Sequence, residues 1–397
     1  VSALATGLQR AIAQRAREGV ARPPVVRTLA AGPGWQADDV VCTLGPADRP
    51  YEERHASACL AIVAAGSFGY RCGAGGMQGG RLRGAARGPE LMTPGALMLG
   101  EPGACFECGH RHGAGDRCVS FHFDPAWLDE QAAAAGLAPG ARRWSALRVP
   151  PLRALAPLVA RACANVEALE RGASVPAAWD ELALALAVAT LRTSACGKDV
   201  HGSAQTMQAA SAGSSAAAAA RVAATLRLIE ETPDAPHTLA SLAAAAGVSE
   251  FYFLRTFSAV AGVTPHQYLL RSRLRIAALR LLAGEGEGDG AGGRNGQGVA
   301  KIVDIALASG FNDLSNFNAA FRAEFGASPR AWRDAARARQ LAATSWPRAA
   351  NATGATNATN ATNATNATNA TRAASAMSAP DPARAAGAIN AAATRRT

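Results

Sequence analysis

The apolar positions change period twice along the chain. Between residues 40 and 123 they fall in short β-prone runs at 40–44, 59–63, 67–70, 96–99 and 118–123, separated by Gly- and Pro-rich turns. Short strands at this spacing predict a small antiparallel barrel or sandwich. Pro94-Gly95 ahead of the fourth run is a turn signal, because Pro fixes φ and Gly tolerates positive φ. After Pro125 the period becomes helical. Leu152, Leu155, Leu158 and Val159 share one face. Leu182, Leu186, Ala189 and Thr190 share another, with Leu184, Val188 and Leu191 widening the stripe. Two such helices suit packing on the barrel or on a second copy of it.

The third texture is a pattern written twice. Leu239, Leu242, Ala243, Gly247, Phe253, Phe257, Gly262 and Pro265 recur about 63 residues later as Ile302, Ile305, Ala306, Gly310, Phe317, Phe321, Gly326 and Pro329. Each copy predicts a short helix, a Gly turn, a second helix and a Gly-x-x-Pro stop, which is the order of a helix-turn-helix. In the first copy Thr238 is the expected N-cap of one helix and Ser249 of the next. Phe253 and Phe257, four apart, turn inward. Ser249, Glu250, Phe251, Leu254 and Arg255 are then left at the outward start of the second helix, where such a helix meets base edges. Arg255 suits bidentate pairing with guanine, and Phe251 or Leu254 a thymine methyl. In the second copy Leu314, Phe317, Phe321 and Phe325 form the expected inward stripe, and Ser315, Asn316 and Arg322 face out. Asn316 matches adenine, and Arg322 matches phosphate. A helix opened by Thr264-Pro265 carries Arg271, Arg273, Arg275 and Arg280 and would space the two readers by about one DNA turn, roughly 34 Å. Of these, Arg271 and Arg273 join the expected DNA contacts.

Composition adjusts this picture in a few places. The formal net charge of +10 fits a polyanionic partner. Much of the 49% hydrophobic content is Ala, which builds little core. No secretory h-region and no run of about 18 large apolar residues is present, so the expected compartment is the cytoplasm, with no membrane partner. Eight cysteines there are expected as thiols or metal ligands instead of a disulfide framework. The expected division is a disordered leader at 1–35, a barrel at 36–128, a helical segment at 129–200, a Gly/Ser/Ala linker at 201–218, the duplicated unit at 219–338 and a disordered tail at 339–397. In that tail Asn357, Asn360, Asn363, Asn366 and Asn369 match a glycosylation pattern as a by-product of an Asn-Ala-Thr repeat.

A second candidate chemistry lies at residues 105–118. Cys105, Cys108, His110 and His112 have soft and borderline donors at a spacing that would allow tetrahedral zinc. A redox role is open as well, since Arg111 and Arg117 would favour thiolates nearby. So is a polar loop at a barrel mouth with Cys118 buried as a small hydrophobe.

The run Gly310-Phe311-Asn312-Asp313-Leu314-Ser315-Asn316-Phe317-Asn318-Ala319-Ala320-Phe321, followed by Phe325-Gly326-Ala327-Ser328-Pro329, resembles the signature of the AraC/XylS family of bacterial transcriptional regulators. The resemblance covers about 120 residues, to near Arg333. It implies a multidomain α+β protein, with an N-terminal cupin-like sensor barrel and dimerisation helices ahead of an all-α tandem helix-turn-helix domain. It also implies double-stranded promoter DNA and RNA polymerase as partners, an effector of unknown identity, and a homodimer. Three departures stand out. Ala319 replaces an Arg frequent in the family, residues 284–298 form a Gly-rich insert, and Glu285, Glu287 and Asp289 within it are acidic. The expectation is therefore a non-enzymatic regulator responding to a ligand, metal or redox signal, with zinc as the possible cofactor. The alternatives are a cupin-type metalloenzyme and an alkyl-accepting DNA-repair regulator.

Overall fold

Ser2 caps a helix that composition alone argues against. The computed structural model describes residues 2–73, 77–78, 81–82, 89–137, 144, 146–173, 176–195, 216–283 and 300–345. Its first element is α1 (Ala3–Glu18), whose N-terminal Ala5 N–H is taken by Ser2 Oγ. Leu4 and Leu8, four apart on one face, are buried to 1% and 2% exposure. The expected disordered leader at 1–35 is thus corrected: its Ala and Arg are good helix formers, and two leucines suffice to dock it.

Twelve strands follow: β1 (Val25–Gly32), β2 (Trp35–Cys42), β3 (Tyr51–Arg54), β4 (Ala58–Gly66), β5 (Phe68–Gly73), β6 (Met77–Gln78), β7 (Arg81–Leu82), β8 (Glu90–Met92), β9 (Leu97–Gly100), β10 (Cys105–Gly109), β11 (Asp116–Phe123) and β12 (Arg148–Val149). They pair antiparallel into a six-stranded sheet, β1-β2-β11-β4-β9-β12, and a four-stranded sheet, β3-β10-β5-β8, with β6-β7 a separate hairpin. Neighbours in the sheets are mostly not neighbours in sequence, as in a jelly roll. The barrel runs beyond the expected 36–128, since β1 completes one edge and β12 the other.

The period-2 pattern of β4 explains the layering. Leu60, Ile62 and Ala64 face one way and join Val119, Phe121 and Phe123 of β11 in the larger core. Cys59, Ala61 and Val63 face the other and pack with Tyr70, Met92, Phe106 and Cys118 between the sheets. The larger core is closed by α2 (Pro125–Ala134), α3 (Ala156–Glu170) and α4 (Pro176–Ala195), through Leu128, Val159, Val166, Trp179, Leu182, Leu186 and Leu191. The helical stripe thus packs on the chain's own barrel. Leu184, expected to widen it, is 42% exposed.

The duplicated unit is α5 (Ala216–Glu231), α6 (Leu239–Ala245), α7 (Glu250–Ala261), α8 (Pro265–Ala283), α9 (Ile302–Ala308), α10 (Leu314–Phe325) and α11 (Pro329–Ser345). Helix α5 begins inside the expected linker 201–218, and Ala218 is already buried. Residues 201–215, the insert at 284–298, and 346–397 lie outside the described residues. Each lobe has its own aromatic core. Phe253, Phe257 and Tyr268 form one, and Phe311, Phe317, Phe321, Phe325 and Trp332 the other. Helix α8 runs between the lobes and is buried on nearly all sides, because α3 of the N-terminal domain covers it as well.

Candidate nucleic-acid interface and a buried thiol cluster

Each reader helix begins with a side-chain cap. Thr238 and Ser241 form a capping box on α6, the turn at Gly247 has φ +66, and Ser249 Oγ accepts the Tyr252 N–H at 3.4 Å. The equivalent turn, Gly310, has φ +87, and the Asp313 carboxylate accepts the Ser315 and Asn316 N–H groups at 3.0 Å each. Only Gly takes such φ without strain, so the repeat's glycines are structural.

With both aromatic faces turned inward, the opposite faces are open. Glu250, Phe251, Leu254 and Arg255 on α7, and Ser315, Asn316 and Arg322 on α10, are all exposed. Phe251 is 76% exposed, which is unusual for so large an apolar side chain. The Arg255 guanidinium lies 5.9 Å from the centre of the Tyr252 ring. Leu314, expected on the inward stripe, is instead 40% exposed at the first turn of α10. Among the residues proposed to read DNA, Ser249 has its hydroxyl engaged as a cap.

Arg271 and Arg273 are corrected. Arg271 donates to the Pro151 carbonyl at 2.6 Å and to Glu324 at 3.2 Å, while Arg273 donates to the carbonyls of Pro233 and Ala235 at 2.6 and 2.7 Å. Both lie on the enclosed helix α8, where a cation survives only with acceptors around it. Arg275 behaves likewise, gripping both oxygens of Glu230 at 2.8 Å.

These contacts join the N-terminal domain to the two lobes. Arg148 donates to the Ala261 carbonyl at 2.9 Å, Arg153 pairs with Glu324 at 3.4 Å, and Leu91 of β8 enters the core of the first lobe. Sequence reasoning missed these residues, because nothing local marks Arg148 or Pro151 as facing a helix more than a hundred residues away.

The metal-ligand expectation is also redrawn. Cys105 and Cys108 are three apart on a strand, so their side chains leave opposite faces and cannot chelate one ion. Burial first, and then the charges of Arg227 of α5 and of Arg111, hold the His112 pKa below the ordinary value. Among the described residues, His110 is the one of the four that enters a cluster: a ring nitrogen of His110, an oxygen of Asp116 and Sγ of Cys42 lie within 4.8 Å of one another. Arg117, expected to activate thiolates, instead holds Asp39 bidentately at 2.8 Å and Glu170 at 2.6 Å. Burial, with the Asp116 charge behind it, pushes the Cys42 thiol up to about 12, and Cys118 moves upward for the same reasons. These are neutral thiols, not activated ones. With one histidine in the cluster, a two-His, one-carboxylate iron site is not assembled there.

Residues 229–270 match the family model for bacterial regulatory helix-turn-helix proteins of the AraC family, and residues 294–335 match a second helix-turn-helix model. The first lobe thus matches an AraC-family model and the second a helix-turn-helix model. The chain is 34% identical over 122 residues to the RCS-specific HTH-type transcriptional activator RclR of Escherichia coli (strain K12). That alignment covers 31% of this chain and 37% of RclR, so the chain spans little more than a third of that relative's length. The DNA-binding domain of AdpA, solved in complex with a target DNA, is similar at 28% identity over 30% of this chain and 96% of that one, with a TM-score of 0.25. An RmlC-like cupin protein of Methanocaldococcus jannaschii is similar over 26% of this chain and 83% of its own, at 12% identity and a TM-score of 0.20. Among the described residues no helix is long and apolar enough to cross a membrane.

Proposed function

We propose that this chain is a sequence-specific DNA-binding transcriptional regulator whose AraC-type domain reads promoter DNA with α7 and α10. The observation that carries this reading is the paired exposure of Glu250, Phe251, Leu254 and Arg255 in one lobe and Ser315, Asn316 and Arg322 in the other. Each set lies at the start of the second helix of its helix-turn-helix, the part that meets base edges. Arg255 beside Phe251 and Leu254 gives the first lobe the larger share of sequence reading. The second lobe, with Ala319 where an Arg would add a contact, contributes more to affinity and register. RNA polymerase and a second copy of the chain are the further partners this reading entails, and the duplicated unit, the sensor barrel and the helices on it are its working divisions.

The N-terminal domain would act by changing how firmly it holds the lobes, a shift between two populations of the same chain. A surface hollow of about 580 Å³, lined by Gln9, Ile12, Pro46, Arg111, His112 and Arg227, spans α1, the loop after β10 and α5. Its two arginines suit an anionic effector that would touch both domains at once.

Fluorescence anisotropy with promoter fragments tests the reading. Arg255→Ala should weaken specific binding by roughly tenfold or more, as for loss of a bidentate base contact. Asn316→Ala should weaken it less, and Arg330→Ala, an exposed control, should leave it unchanged. Wild-type binding by both Arg255→Ala and Asn316→Ala would refute the assignment of the readers.

A further inference from the structure

Strand register brings together residues that lie far apart in the sequence. Asp116 of β11 stands directly opposite Cys42 of β2 in the antiparallel ladder, and Cys118 follows two residues on, on the same face as Asp116. Directly opposed side chains are about 5 Å apart at Cβ, so these three converge at one end of the space between the sheets. His110, just past β10, closes the group: its Nε2 lies 2.7 Å from one Asp116 oxygen, and Cys118 Sγ lies 3.2 Å from the other.

The cluster is sealed. Cys42, Cys118, His110 and Asp116 are 4%, 5%, 4% and 5% exposed. The lid is α1, since a Cβ at Gly115 would meet Leu8 and Ile12 at 3.1 and 2.9 Å, and Gly115 N–H donates to the Leu44 carbonyl at 2.8 Å. Nε2 is the ring nitrogen of His110 that faces the Asp116 carboxylate, so it is the one placed to share an ion with Asp116.

We propose that Cys42, His110 and Asp116, whose donor atoms lie within 4.8 Å of one another, hold one divalent ion of the zinc type, and that Cys118, 3.2 Å from the other Asp116 oxygen, moves in as the fourth donor when the ion binds. Two thiolates, an imidazole and a carboxylate form a four-donor set of the kind that suits tetrahedral zinc, and a site with four protein ligands is closed and structural, not catalytic. Cys42 and Cys118 bind as thiolates, each releasing its proton to solvent as the ion enters. The ion cross-links β2, β11 and the loop after β10 beneath α1. That loop continues through Arg111 and His112 to the hollow shared with α5.

The test uses the full chain, purified reduced and without chelator. It should carry about one zinc per chain by elemental analysis, as a closed four-ligand site does. Co²⁺ exchanged into the chelator-stripped protein should give tetrahedral visible bands and a thiolate-to-cobalt charge-transfer band. Cys42→Ser and His110→Gln should lose the ion, while Cys105→Ser and His112→Gln should keep it. If the first pair fail to fold, the wild type still decides. A reduced wild-type chain that carries no stoichiometric metal and gives no charge-transfer band with Co²⁺ overturns the site. So does a folded Cys42→Ser that keeps a full complement of zinc. None of these readouts involves DNA, so the metal site and the DNA-binding reading stand or fall separately.

Discussion

Acidification should loosen the barrel through one buried imidazole. His55 is 6% exposed, stacks on Phe106 with ring centres 4.2 Å apart, and lies 2.9 Å from Tyr70 Oη through Nε2. Tyr70 gives its own hydroxyl proton to the Leu99 carbonyl at 3.1 Å, so its oxygen accepts from His55 Nε2–H and the ring is neutral. Burial first, and the charge of His122 second, lower the His55 pKa from 6.5 to about 4. The unfolded chain therefore binds a proton that the folded chain refuses between those two values, and stability falls as pH drops through the window. At ~1.4 kcal/mol per pKa unit, the whole window is worth about 3 kcal/mol, and the part from about pH 6.5 to 5 about 2 kcal/mol. Urea denaturation should be followed from about pH 7.5 to 5 for wild type and His55→Gln, a variant that keeps a donor for Tyr70 but does not titrate. The difference in stability between the two proteins should shrink towards acid, since His55→Gln escapes the penalty. Parallel pH profiles for the two would refute the argument, because every other group titrates in both.

Four further perturbations separate packing from function. Phe317→Ala, at a side chain with no exposed surface, should cost about 3–5 kcal/mol by urea denaturation. Phe251→Ala, at 76% exposure, should change stability by less than about 0.5 kcal/mol while weakening DNA binding in anisotropy. Asp39→Asn leaves the buried Arg117 guanidinium with Glu170 as its remaining acidic partner and should destabilise the fold by roughly 3 kcal/mol, read from the urea midpoint. Arg271→Ala removes bonds to Pro151 and Glu324 from the contact between α8, the N-terminal domain and α10. It should therefore alter proteolytic susceptibility near residues 148–153 without changing the salt slope of DNA binding, whereas loss of a phosphate contact would lower that slope by about one unit.

The sequence was most legible where the pattern was local. The duplicated helices, their caps at Thr238 and Ser249 and the inward phenylalanines could all be read from spacings of four or fewer residues. The barrel strands were legible as runs, but their partners were not, because β11 pairs with β2 and β4 across 74 to 88 and 50 to 65 residues of chain. That is why Cys42 went unnoticed as a neighbour of Asp116, while the conspicuous Cys105 and Cys108 were favoured. A C-x-x-C spacing chelates from a turn or a knuckle. On an extended strand the same spacing points its thiols apart, and only register says which applies. The arginines of α8 were misread for a related reason. A stripe of cations on a helix is ordinarily solvated, but this helix is enclosed by two lobes and by α3, and its arginines are met by backbone carbonyls and by Glu230 and Glu324.

That enclosure bears on how the chain would be controlled. If α8 contacted only the two lobes, the N-terminal domain would be a tethered passenger. Instead Ala160 of α3 lies in the core of the second lobe, Leu279 of α8 lies in the core of the barrel domain, and Leu91 of β8 lies in the core of the first lobe. Each lobe therefore shares apolar contacts with the N-terminal domain. Glu324 draws these contacts to one point, accepting Arg271 from α8 and Arg153 from the N-terminal domain within 3.4 Å. Packed interfaces of this kind shift between discrete arrangements more readily than they deform by degrees. A change at the barrel end that moved α1 or the loop after β10 would reach α5 through Arg227. The exposed faces of α7 and α10 would then be reoriented through the contacts that each lobe's core makes with the N-terminal domain, without any residue on those faces having to change.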